Sequence, residues 1–138
     1  MADRVRKVRY CYVKVGARAG QGAAVLGALR KAGIDLLAFS GFPTGGGKAQ
    51  IDVVAEDIAA VRRVAQREGG RLSSTKKAFL VQGSDRVGAC HHHLKKLADK
   101  KIKVTAAGGL SAGRGRWAMI LWVKPSDYAR AARALGAR

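Results

Sequence analysis

Two stretches of this 138-residue chain repeat at a fixed distance, and that repeat limits the possible folds more than any other feature. Gly20, Leu26, Leu29, Ile34 and Gly41 recur sixty-eight positions later as Gly88, Leu94, Leu97, Ile102 and Gly109. An offset held through a strand, a helix and a second strand means an internal repeat. The chain therefore reads as two units, 1–70 and 71–138. Each is near the size where a single core is marginal, so the two are expected to pack on each other.

The second copy shows the local logic best. The apolar run Ala78-Phe79-Leu80-Val81 leads into Ser84-Asp85-Arg86-Val87-Gly88, and Cys90, His93, Leu94 and Leu97 follow at offsets of three and four. That spacing puts them on one helical stripe, giving strand, turn and helix. Asp85 is placed to cap the first turn, where orphan N–H groups and the positive end of the helix dipole collect. Gly88 lets a small molecule approach that backbone, and the start of a helix suits an anion or zwitterion. Taken alone, the stretch also reads as an ordinary strand-to-helix connection.

Arg4 to Gly16 alternates as a strand, and Val25, Leu26, Leu29 and Ala32 stripe a helix closed by Gly33. Ile34 to Ser40 reads as a strand, Gly41 to Gly47 as a flexible loop, and Ile51 to Ala55 as a third strand. Asp57 caps a helix with Ile58, Val61, Val64 and Ala65 inward. The second unit repeats this order, with a loop at Gly108 to Gly113, a strand at Trp117 to Val123 and a final helix after Pro125. Arg71 to Lys76 can add a fourth strand to the first unit, but the second has none of its own. Arg4 to Arg9 precedes the first unit as Arg71 to Lys76 precedes the second. The N-terminal segment thus either supplies the missing strand or extends one overlong first strand.

This order, with Asp85-Arg86-Val87-Gly88-Ala89-Cys90 at its first turn and Gly33-Ile34-Asp35-Leu36 after its first helix, resembles the ACT domain family in two tandem copies. The resemblance implies an α+β protein of two ferredoxin-like βαββαβ units, antiparallel sheets joined edge to edge and helices on one face. It further implies a non-catalytic regulatory protein that binds an amino acid or related metabolite between the units and acts on a biosynthetic enzyme. Carried over by position, one site uses Asp85, Arg86, Gly88 and Ala89 with Ile34, Asp35 and Leu36 opposite. The mirror site uses Arg18, Gly20 and Gln21 facing Lys103 and Val104. The family's proline is replaced by Ala19 and Val87, and the first copy has Ala17 where the second has Asp85. A zwitterion needs N–H donors for its carboxylate and an acid for its ammonium, so the second copy suits an amino acid better.

The charge of +18 is shared unequally: 12 basic and 6 acidic residues precede Arg71, while 15 basic and 3 acidic ones run from Arg71 onward. Such a surface attracts polyanions, which makes nucleic acid the alternative partner. Tyr10, Tyr12, Leu80, Ile120 and Trp122 fall on the sheet face away from the helices. Stacked bases are one use of that face, and burial in a homodimer is the preferred one. Cys90-His91-His92-His93 does not read as a metal site, because adjacent helical residues diverge by about 100°. Cys90 and His93, which share a face, read as packing at the helix start, and His91 or His92 can contact a ligand at the neighbouring interface. Gly20-Gln21-Gly22 lacks the third glycine of a dinucleotide turn, and Gly45-Gly46-Gly47-Lys48-Ala49 lacks the phosphate-loop spacing. No nucleophile–base–orienter set is evident, so no catalytic residue, cofactor or metal is expected. Cys11 and Cys90 read as buried free thiols in a reducing compartment. Without an N-terminal leader or an apolar run of about eighteen residues, the expectation is a cytoplasmic protein with no membrane partner.

Overall fold

The computed structural model describes residues 2–138. It is an α+β fold with antiparallel strands and four α-helices. The elements run β1 (Arg4–Gly16), α1 (Gln21–Lys31), β2 (Ala38–Gly45), β3 (Lys48–Val54), α2 (Ile58–Arg67), β4 (Arg71–Leu72) and β5 (Lys76–Ser84). They continue as α3 (Ala89–Asp99), β6 (Val104–Gly113), β7 (Arg116–Val123), a 3-10 turn at Pro125–Asp127 and α4 (Tyr128–Leu135). No helix among the described residues is long and apolar enough to cross a membrane.

Where the sequence suggested 1–70 and 71–138, the compact units are Arg9–Lys76, and Lys77–Arg138 together with the N-terminal residues up to Val8. In the unit Arg9–Lys76 the strand order is β2-β3-β1-β4. Val13 faces Ile51 on one side and Leu72 on the other, which fixes the register. Cys11, Val25, Leu29, Val53 and Val61 form its core because the period-two face of the strands meets the stripes of α1 and α2. Burial pushes the Cys11 thiol up from its ordinary pKa. Asp57 accepts a hydrogen bond from the Ala60 N–H at 3.0 Å and caps α2 as expected.

The other unit has the order β6-β7-β5, with β1 on the far side of β5. The start of β1 is that fourth strand. Val5 belongs to the core with Phe79, Val81, Leu97, Met119, Leu121 and Leu135. Its carbonyl accepts from the Arg138 N–H at 3.1 Å, and the Lys7 N–H donates to Arg138 at 3.0 Å. The single strand β1 therefore serves as fourth strand of one unit and first strand of the other. Phe79 stacks on Tyr128 with ring centroids 4.4 Å apart, and the Tyr128 hydroxyl donates to the Ala78 carbonyl at 2.9 Å. Burial raises the Tyr128 pKa to about 12.

Three local expectations are corrected. The glycine-rich stretches Gly41 to Gly47 and Gly108 to Gly113 are largely strand, because β3 and β7 supply ladder partners: Phe42 pairs with Gln50 and Gly109 with Met119. Those cross-strand hydrogen bonds outweigh local propensity. Asp85 does not cap α3. Gly88 is the N-cap, at φ 79°, with no side-chain cap. Lastly, Tyr10, Leu80 and Ile120 are buried within the chain itself, and Tyr12 and Trp122 are half-buried. That face is not an open platform for bases.

Candidate functional site

A cleft of about 300 Å³ opens at the start of α3, bounded by Asp85, Arg86, Gly88, Ala89, His91 and, across it, Gly109 to Ser111 of β6 with Trp117. Four of the residues singled out from the sequence are thus gathered at one place. The local cause is the left-handed Gly88, which turns the chain from loop into helix at no steric cost. Gly88 has no side chain to cap α3, and the Ala89 N–H donates to the Arg86 carbonyl at 3.2 Å, so the N–H groups of Cys90 and His91 are the ones left for an acceptor from outside. Asp85 is exposed. Its backbone N–H donates to the Gly115 carbonyl at 2.8 Å, which fixes the loop and leaves the carboxylate at the rim. Gly109 is needed for close approach: a Cβ there would sit 2.8 Å from the Sγ of Cys90, which is half-buried, not buried as expected.

Arg86 lines the cleft, and its guanidinium is engaged by Asp3. Its Nη1 and Nη2 donate to Oδ1 and Oδ2 of Asp3, both at 3.0 Å. Asp3 also receives His93 Nε2 at 2.6 Å and Trp117 Nε1 at 3.3 Å. Its side chain is only 4% exposed. Burial by itself would raise the Asp3 pKa, but hydrogen bonds from Arg86, His93 and Trp117 and the guanidinium charge hold it well below the usual carboxylate range. Burial lowers the His93 pKa, partly offset by Asp3. A neutral ring that donates through Nε2 leaves Nδ1 as the acceptor, and that atom is buried without a partner among the described residues. Asp3 was missed because it lies eighty-three residues from Arg86 in sequence. The one available signal was the likeness of Arg4 to Arg9 with Arg71 to Lys76, which puts Asp3 just ahead of the added strand.

The remaining sequence candidates are placed elsewhere. Gly20 is the left-handed N-cap of α1, and the Arg18 carbonyl accepts from the Gln21 N–H at 3.2 Å. Gln21 borders a separate cleft of about 510 Å³ with Val25, Thr44 and Glu68. Ile34 lines another of about 550 Å³ beside Ala60 and Arg63, and its N–H donates to Leu29 to close α1. Asp35 is exposed, while Leu36 packs on the core of the unit Arg9–Lys76. Lys103 is exposed, and Val104 opens β6 opposite Val123. None of these eight lines the cleft at Asp85.

No protein-family model and no curated protein matches the sequence. Solved structures do match. Protein BT0572 from Bacteroides thetaiotaomicron is similar over 97% of this chain and 88% of its own, with a TM-score of 0.79 at 12% identity. The aspartokinase alpha and beta subunits match over 98% and 95%, with a TM-score of 0.65 at 14% identity. The regulatory subunit of aspartate kinase from Thermus thermophilus, in its ligand-free form, matches over 98% and 93%, with a TM-score of 0.66 at 17% identity. At such identities the likeness is one of fold: this chain folds as the ACT-type regulatory parts of aspartate kinases do.

Proposed function

We propose that the chain is a non-catalytic regulatory protein that binds an amino acid in the cleft at the start of α3 and acts, as a homo-oligomer, on a biosynthetic enzyme. The observation that carries the reading is the pairing of uncapped α3 N–H groups with the exposed Asp85 carboxylate across one small cleft. The N–H groups suit a ligand carboxylate, and Asp85 suits its ammonium. Because Gly88 and not Asp85 occupies the N-cap, acid and donors do not satisfy each other. Arg86 adds no free charge, since Asp3 neutralises it. The site is therefore matched to a zwitterion more than to a dianion. The regulatory role rests on the shared fold with regulatory subunits.

Thermal unfolding in the presence of each of the twenty amino acids tests this. One or a few related ones should raise Tm, by the equivalent of about 2.7 kcal/mol at a hundredfold excess over Kd. Asp85→Ala should abolish the rise while leaving the unliganded Tm within a degree or so, since its carboxylate holds nothing in place. A flat response to all twenty, or an undiminished one in the variant, defeats the proposal.

A further inference from the structure

The end of the second unit opposite the cleft is a concentrated basic surface. Lys100 is the C-cap of α3, Lys101 follows it, and Lys103 precedes β6. Val104 pairs with Val123, so Lys124 leaves β7 at the same end as Lys103. Arg130 of α4 joins them by donating through Nη1 to the Lys100 carbonyl at 3.2 Å. All four lysines are exposed, and none has a carboxylate partner among the described residues. The nearby acids are taken: Asp99 pairs with Lys95 at 3.0 Å, and Asp127 with Arg130 at 3.2 Å.

The internal repeat provides the comparison. Sixty-eight positions earlier, Lys100, Lys101, Lys103 and Lys124 correspond to Ala32, Gly33, Asp35 and Glu56. One unit carries four positive charges where the other carries two negative ones, so a general compositional bias does not explain the cluster. Lys101 carries an added cost. It adopts φ 57°, a left-handed conformation that disfavours a side chain, at the place where the first unit has Gly33 at φ 70°. A lysine kept where glycine is the low-cost choice points to a use for its charge. Interaction with the dipole of α3 accounts for Lys100, but not for Lys103 or Lys124, which flank strands.

We propose that this surface binds the phosphate backbone of a nucleic acid without reading its sequence. Among the described residues of this unit the exposed large apolar side chains are Val87, in the turn before α3, and Leu110, which borders the cleft, so neither lies at this end. The surface therefore has nothing to insert into a bilayer or stack on a base, and charge is its sole means of recognition. The proposal does not depend on the amino-acid site, which lies at the other end of α3.

Fluorescence anisotropy of the full chain with a labelled 20-base-pair duplex DNA and a 20-nucleotide RNA, over a salt series, provides the test. Four neutralised phosphates predict a log–log salt slope of about −3.6 on the duplex. Replacing Lys100→Ala, Lys101→Gly, Lys103→Ala and Lys124→Ala together should flatten that slope by three to four and weaken binding at least ~30-fold in 100 mM salt. Its Tm should hold or rise, because Lys101→Gly relieves the backbone. A control with Arg30→Ala, Lys31→Ala, Arg63→Ala and Arg67→Ala removes as many charges from the other unit and should stay within about threefold of wild type. Failure to bind either nucleic acid in 50 mM salt, an equal loss in the control, or tighter binding to phosphatidylserine vesicles than to the duplex would each overturn the proposal.

Discussion

Asp3→Ala should lower the unfolding free energy by about 3–5 kcal/mol, as read from urea denaturation at pH 7. The carboxylate receives the N–H groups of His93 and Trp117, and both rings are buried. A buried donor left without an acceptor costs about 1–3 kcal/mol, and the variant leaves two. The cavity left by the lost side chain adds to this. Arg86 is half-exposed and can turn to water, so its loss matters less for stability than for the order of the loop it holds. The same cluster makes the fold acid-sensitive. The folded pKa of His93 is depressed, so the unfolded chain binds the extra proton first, and stability begins to fall as pH drops through about 6.5. The folded pKa of Asp3 is depressed as well, so its contribution is complete above about 3.9 and is lost as pH falls below that value. Asp3→Ala should therefore flatten the limb of a stability–pH profile below about pH 3.9, while the fall through about 6.5, which belongs to His93, persists. A limb as steep as that of wild type would show that other carboxylates control it.

Gly83→Ala should cost about 2–4 kcal/mol, and the cost should largely disappear in the double variant Asp3→Gly, Gly83→Ala when measured against Asp3→Gly alone. A Cβ on Gly83 would overlap Oδ1 of Asp3 and come within 2.9 Å of its Cγ, so the carboxylate must leave the three donors that fix it. With residue 3 reduced to glycine the remaining close contact is its Cα at 3.2 Å, which a backbone shift of a few tenths of an ångström relieves. The first unit holds a related close approach: a Cβ built on Gly70 would lie 2.5 Å from Cγ1 of Val13 and 3.7 Å from that of Val15, so there the first strand carries the side chains and the added strand carries glycine. Denaturation of the two single variants and the double variant gives the coupling energy directly. Additive costs would mean that Gly83 is required for backbone geometry and not for Asp3.

Much of this architecture was legible before any coordinates. The recurrence of Gly20 and Gly88, Leu29 and Leu97, and Ile34 and Ile102 exposed the duplication, since residues that close a helix and seed a core keep their spacing whatever surrounds them. The stripes of α2 and α3 and the cap at Asp57 are likewise written locally. The turn from Asp85 to Ala89 is local in the same way, but its cap position is held by Gly88 and not by Asp85.

Which residues face the helices is encoded locally, because amphipathic periodicity is a property of neighbours along the chain. What those elements pair with is set by contacts distant in sequence. β2 and β6 run as strands through glycine-rich stretches because β3 and β7 lie beside them. Tyr10, Leu80 and Ile120 are buried on a face that alternation alone would leave open. Asp3 became the centre of a buried polar cluster because the chain brings Arg86, His93 and Trp117 to it from more than eighty residues away. Buried polar groups need partners from wherever the fold can supply them, and no local pattern encodes which residues those will be.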